Sequence, residues 1–194
     1  MKQILMMGGL TLLAAMALLL IYASTRPDEF RVERRLRIHA PADQLWPLIG
    51  ELRTFNRWNP YVRKDPLIKG SYSGPVSGIG SRYAWESDKV GVGSLEITGQ
   101  QPGQAVQMKL DFIKPFEAHN QAEFRLKPQT DGSTEVIWAM HGPSTYMSKV
   151  MGVLFDMDKM VGRDFESGLT NLQQHAQIYV NLPCKNLPAS SLTR

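Results

Sequence analysis

The chain has 194 residues, 43% of them apolar, with a formal net charge of +4. That suits one ordinary domain with a real core and short appendages, and leaves little room for a second. Its lysines and arginines are spread out without the dense run that marks a nucleic-acid arm, and the lone Cys184 excludes both an internal disulfide framework and a zinc site built on several thiolates.

Ile4 to Ala23 is an uncharged, mostly apolar run, and about 20 such residues in a helix match the hydrocarbon core of a bilayer. A cleaved signal peptide has a shorter apolar stretch of about 7 to 15 residues, and cleavage after Ala23 would put Ile21 where a small residue is preferred; an uncleaved anchor is the better reading. Gly8 and Gly9 are adjacent rather than four apart, so they make no dimerisation motif. Lys2 precedes the span while Arg26, Arg31, Arg34, Arg35 and Arg37 follow it, which by the positive-inside tendency favours a cytoplasmic domain.

Ser24 to Glu29 forms a polar hinge that holds the domain within about 20 Å of the membrane. Phe30, Val32, Leu36 and Ile38 then alternate with Arg31, Glu33, Arg35 and Arg37, the period of a strand, with Arg34 as the one charge on the apolar phase. Ala40 to Asp43 opens a helix containing Leu45, Trp46, Leu48 and Ile49, which Pro47 should shorten or kink. A second helical piece from Leu52 to Trp58 stops at Asn59-Pro60.

From Tyr61 to His141 regular Gly, Pro, Asn and Asp punctuation predicts an antiparallel meander. Strands are expected near Ser81–Ser87, Gly93–Thr98, Ala105–Phe112, Ala118–Lys127 and Thr134–Met140, with Asp131-Gly132 as a hairpin turn. Tyr83, Trp85, Leu95, Ile97, Val106, Met108, Leu110, Phe112, Ala118, Ala122, Phe124, Leu126, Val136, Trp138 and Met140 share one phase. The opposite phase carries Arg82, Glu86, Lys109, Asp111, His119, Glu123, Arg125 and Glu135, as a solvated face should. The glycine clusters Gly78-Ile79-Gly80 and Gly91-Val92-Gly93 lack the third glycine and following helix of a dinucleotide loop, and Gly70 to Gly74 has Tyr72 where a nucleophile elbow needs serine; all three read as turns.

One long amphipathic helix is expected from Ser144 to about Gln177, with Met147, Met151, Leu154, Phe155, Val161, Phe165, Leu169, Leu172 and Ala176 on one stripe. Gly162 and Gly168 each cost such a helix about 1 kcal/mol relative to alanine, so close approach to a surface, or a bend, should compensate. The organisation is thus an anchor over residues 1–25, a domain over 28–180 and a disordered tail over 181–194.

A strand, two small helices, a curved antiparallel sheet and a long closing helix is the order of an α+β helix-grip fold. Specific stretches strengthen this: Ile38 to Ala42 with Trp46; Trp58-Asn59-Pro60; Tyr83-Ala84-Trp85 before Val90 to Gly93; Leu110 to Glu117; Trp138 with Met140; and Gly162 to Leu172. With them the chain, from about Phe30 to Gln177, resembles the SRPBCC superfamily in its polyketide cyclase/dehydrase-like branch, related to START lipid-transfer domains. That superfamily spans lipid carriers, hormone receptors, cyclases, hydroxylase domains and chaperone co-activators, so the resemblance implies a fold more sharply than a function. It implies a sheet wrapped around the closing helix with an apolar cavity between them.

In such a cavity the expected ligand-binding side chains are Trp58, Tyr83, Trp85, Met108, Leu110, Phe112, Phe124, Trp138, Met140, Met147, Met151 and Phe155, since methionines refit to differing shapes and aromatics supply contact area. Met157 and Met160 belong to the same methionine-rich half of the helix. Cyclase-type chemistry needs an acid or base within hydrogen-bond reach of the ligand. The inward phase offers only Tyr83, which on a core face is more often simply packed, and two charged residues as polar anchors: Arg34, whose plainer role is a strand end snorkelling to water or a salt bridge, and Asp158, with a helix bend as its plainer role. His39, His119, His141 and His175 show no metal spacing. The expected function is membrane-anchored binding of a lipid or other hydrophobic small molecule, without cofactor, metal, nucleic acid or catalysis; a cyclase-like enzyme or a protein-interaction module is the alternative, and the ligand and oligomeric state stay open.

Overall fold

The computed structural model describes residues 2–154 and 156–181. Helix α1 (Lys2–Ser24) carries the apolar run, and within it Met6–Ser24 is long and apolar enough to cross a membrane. Strand β1 (Glu29–Ile38) follows after a four-residue link over residues 25–28, and three short helices come next: α2 (Ala42–Gly50), α3 (Leu52–Trp58) and α4 (Pro60–Lys64). Asn59 ends α3 and starts α4 in one residue, because its side chain accepts the Tyr61 N–H at 3.1 Å while Pro60, lacking an N–H, takes the first helical position.

The chain then runs through β2 (Lys69–Ser73), β3 (Arg82–Ser87), β4 (Gly91–Gln101), β5 (Ala105–Lys114), β6 (Ala118–Pro128) and β7 (Thr134–Pro143). All pair antiparallel in one seven-stranded sheet of order β1-β7-β6-β5-β4-β3-β2. Two register shifts in β4, at Val92/Gly93 and Ile97/Gly99, add the local bends that curl the sheet. The glycine-rich stretch from Gly70 to Gly74, expected to be a turn, is mostly strand β2. Its polar sequence gives no alternation to read, and as a short edge strand it needs none, since it is held by pairing to β3 on one side only.

The closing helix is two helices, α5 (Tyr146–Leu154) and α6 (Met157–Asn181), rather than one continuous pattern. Asp156 starts α6: its carboxylate accepts the Lys159 N–H at 2.9 Å, a cap that competes with helix continuation. Phe165, Leu169, Leu172 and Ala176 are buried against the sheet as the stripe predicts. Asn181, expected to begin the disordered tail, is the last residue of α6, and the rest of that tail, with Cys184, lies outside the described residues.

Both glycines of α6 are explained by close approach. A Cβ on Gly168 would stand 2.5 Å from the Trp138 ring, and one on Gly162 would overlap the Arg34 guanidinium. The core continues through an aromatic cluster in which Trp138 stacks on Phe165 at 4.1 Å between centroids and 8° between planes, and tilts against Phe124 at 4.9 Å.

Candidate functional site

Between the concave face of the sheet and α6 lies a cavity of about 1140 Å³, somewhat larger than the roughly 300–1,000 Å³ of ordinary small-molecule sites. Its walls follow from strand alternation. Tyr83 and Trp85 of β3, Met108, Leu110 and Phe112 of β5, Phe124 of β6, and Trp138 and Met140 of β7 all line it, because each occupies the inward phase of its strand. Gly93 lets the Trp85 ring lie flat on β4, since a Cβ there would stand 2.6 Å from the ring. Burial, and then the neighbouring Tyr72, push the Tyr83 phenol up to about 12, so it is a neutral hydroxyl at any physiological pH.

Two of the expected binding residues are placed otherwise, and two more fall outside the described residues. Trp58 is wholly buried and does not line the cavity: its indole N–H donates to the Leu48 carbonyl at 2.8 Å, and its ring packs edge-on against Phe55, Phe124 and Trp138. Met151 of α5 is exposed and does not line the cavity, which α5 meets instead through Ser148, Lys149, Gly152 and Val153. The Met147 side chain and all of Phe155 lie outside the described residues. Met157 and Met160 do line the cavity, each about half exposed.

Arg34 does not reach the cavity as an anchor. Its side chain turns onto α6, where Nε donates to Glu166 at 2.8 Å and Nη2 to the Asp158 carboxylate at 2.9 Å; Nη2 also donates to the Asp158 carbonyl, and Nη1 to the Glu33 carbonyl. Asp158 stands on the cavity wall, and the hydrogen bond from Arg34 holds its carboxyl below the usual range. The spacing Asp158, Gly162, Glu166 puts two carboxylates and a gap between them on one helical face. That pattern was visible in the sequence, but the cation that fills it comes from 124 and 132 positions away.

A polar cluster on the cavity wall escaped the sequence reading. Asp164 of α6 and Tyr61 and Lys64 of α4 all line it, with Lys64 Nζ 2.6 Å from the Asp164 carboxylate and 5.1 Å from the Tyr61 ring centroid. Burial raises the Tyr61 phenol far above its ordinary value, and Asp164 beside it adds to the effect. Asp164 lies three residues after Val161 and beside Phe165, on the inward side of α6, which was the available signal. Among the described residues no group of three His, Cys, Asp or Glu is arranged to hold a metal.

This architecture matches a known family. The sequence profile described as Polyketide cyclase / dehydrase and lipid transport matches residues 29–177. The chain belongs to that family. It is a helix-grip domain of a group that binds hydrophobic small molecules, the SRPBCC branch expected from its motifs. Comparison with curated protein sequences gives no match. Among solved structures, a Mesorhizobium loti protein is similar at a TM-score of 0.57 and 16% identity, over 79% of this chain and 100% of that one. A Thermobifida fusca protein is similar at 0.58 and 16%, over 76% and 93% of the two chains. Aha1 from Colwellia psychrerythraea, solved as a dimer, is similar at 0.53 and 15%, over 77% and 97%. At these identities the likeness establishes the fold and leaves the ligand to the cavity itself.

Proposed function

We propose that the chain is a membrane-tethered binding module for a lipid or other hydrophobic small molecule, held to the bilayer by α1 and without catalysis of its own. The observation that carries the reading is the chemistry of the cavity wall. Its sheet side is mostly apolar and aromatic, interrupted by Asn120 of β6 and, at the start of β1, by Glu29 and Arg31, and the two carboxylates that α6 brings to it, Asp158 and Asp164, are each already paired, with Arg34 at 2.9 Å and Lys64 at 2.6 Å. The hydrogen bond from Arg34 holds the Asp158 carboxyl below its ordinary value, which makes it a poor proton acceptor, and a general base needs the opposite. A large apolar site with few polar groups binds by shape and burial, with those groups setting orientation. The apolar length of α1, only 6% of it buried in the protein, supports the tether.

The test is native mass spectrometry of the delipidated full chain released from detergent after exposure to a fatty acid, a diacyl phospholipid and a polycyclic aromatic. One-to-one uptake of at least one is expected. Uptake of none would remove the basis of the proposal and favour a protein-interaction role, in which the cavity is incidental.

A further inference from the structure

We propose that the mouth of the cavity rests on the bilayer, with α5 at the level of the lipid headgroups, so that the cavity opens into the membrane rather than into water. The proposal rests on α1 being a membrane span, and three independent features of the fold lead to it.

The first is strand direction. β1 begins at Glu29, directly after the α1 link, and Glu29 pairs with Pro143, so the start of β1 and the end of β7 mark the sheet edge next to α1. Gln121 pairs with His141, which puts the first residues of β6 at that edge, and with them the hairpin at Pro115–Glu117. Val92 pairs with Lys114, so the turn holding Lys89 is there too. The turns around Gly103 and Gly132 and the loop holding Ile79 lie at the other ends of the same strands.

The second is the cavity's own boundary. It is lined by Arg26 and Pro27 at the exit of α1, by Phe116 on the near hairpin, by Lys149 on α5 and by Met157 and Met160 on α6. Phe116 is 72% exposed, Met160 56% and Met157 44%. Apolar side chains in water around the entrance to an apolar cavity mark an interaction surface. Arg26 and Lys89 at the same rim suit lipid phosphates.

The third is depth. The Tyr146 hydroxyl, at the start of α5, donates to the Leu20 carbonyl of α1 at 3.0 Å. Leu20 lies four residues before the end of α1 at Ser24, which at 1.5 Å per residue is about 6 Å inside the span. Tyrosine belongs at that level of a membrane. Lys149 of α5 pairs with Asp28, and the Ser144 N–H donates to the Asp28 carbonyl at 2.7 Å, so α5 is tied to the link as well as to α1. If α1 is in the bilayer, α5 and the cavity wall it forms are at its surface. A protein partner would need to fit between the rim and the lipid, where four link residues leave little space.

The experiment uses the full chain with Cys184→Ser, carrying a single cysteine through Phe116→Cys, Met160→Cys or Ile79→Cys, labelled with an environment-sensitive fluorophore. Each is reconstituted into phosphatidylcholine/phosphatidylglycerol vesicles with and without brominated acyl chains, and vesicle association is checked by flotation. The probes at 116 and 160 should lose at least about half of their emission to the brominated chains while the probe at 79 is unaffected. A chain that floats with the vesicles yet shows all three probes equally unquenched would overturn the docking and leave the anchor intact. A chain that does not float would overturn the anchor, and the docking with it.

Discussion

The Arg34 guanidinium occupies the space where a Cβ on Gly162 would stand, so that an arginine of the first strand is bonded through the missing side chain of a helix residue far along the sequence. The arrangement fastens the first turns of α6 to β1 beside the cavity.

Gly162→Ala sets two effects against each other. Alanine favours the helix by about 1 kcal/mol, while the displaced arginine gives up exposed ion pairs worth about 0.2–1 kcal/mol each. The expected change in the urea unfolding free energy is therefore within about 1 kcal/mol of zero. Amide exchange in the first turns of α6 should nevertheless accelerate, because the clasp is gone. A loss above about 2 kcal/mol would show that the backbone, rather than the arginine, had moved.

The same clasp should respond to acid. Asp158 has a folded-state value lowered from 3.8 by the Arg34 hydrogen bond. Its contribution is thus present above the unfolded value and is lost as pH falls through the lower, folded one. Amide exchange at the start of α6, corrected for intrinsic rates, should be flat from neutrality down to about pH 5 and rise below about pH 4. In Arg34→Met the step should vanish; a step that persists would belong to another carboxylate.

Phe165→Ala removes the ring stacked on Trp138 at 4.1 Å. As a fully buried aromatic at the junction of helix and sheet, its loss should cost about 3–5 kcal/mol in chemical denaturation. A cost below about 1 kcal/mol would mean that the helix is not held at this point.

Trp58→Phe separates core from cavity. The substitution removes the bond to the Leu48 carbonyl and some volume, so stability should fall by about 1–3 kcal/mol. Ligand uptake should be unchanged, since the ring does not face the cavity. A lower affinity at preserved stability would return Trp58 to the binding site.

Ala122→Trp fills the cavity from the sheet. Ala122 pairs with Met108 on one side and Met140 on the other, and all three line the site. An indole there has open space to enter, so the folding cost should stay within the roughly 1–3 kcal/mol of a tolerated overpacking. Hydrophobic-ligand uptake should drop by about tenfold or more. Undiminished uptake would place the ligand elsewhere.

The fold was largely legible in the residues. Inward Tyr83, Met108, Phe124 and Trp138 could be read because strand alternation is a two-residue property, carried in full by each segment. Turn residues such as Gly132, with φ of 80°, are equally local. The β2 strand was missed because Lys69–Ser73 has no alternating apolar residues: its pairing with β3 is supplied by backbone. The break between α5 and α6 was missed because a cap by Asp156 competes with helix continuation by a margin that periodicity does not register.

What the sequence by itself determined was therefore the apolar α1, the phase of the strands, the buried stripe of α6 and the membership in a family. Tertiary structure alone decided where the polar groups point. Arg34 sits on the apolar phase of β1, and nothing local says whether it enters the cavity or turns onto Asp158 and Glu166; curvature of the sheet brings α6 within its reach and so decides the matter. Trp58 became core in the same way, through the packing of Phe55, Phe124 and Trp138 around it. Hydrophobic periodicity records which face a residue takes, whereas the partner on that face is set by segments that meet only when the chain closes.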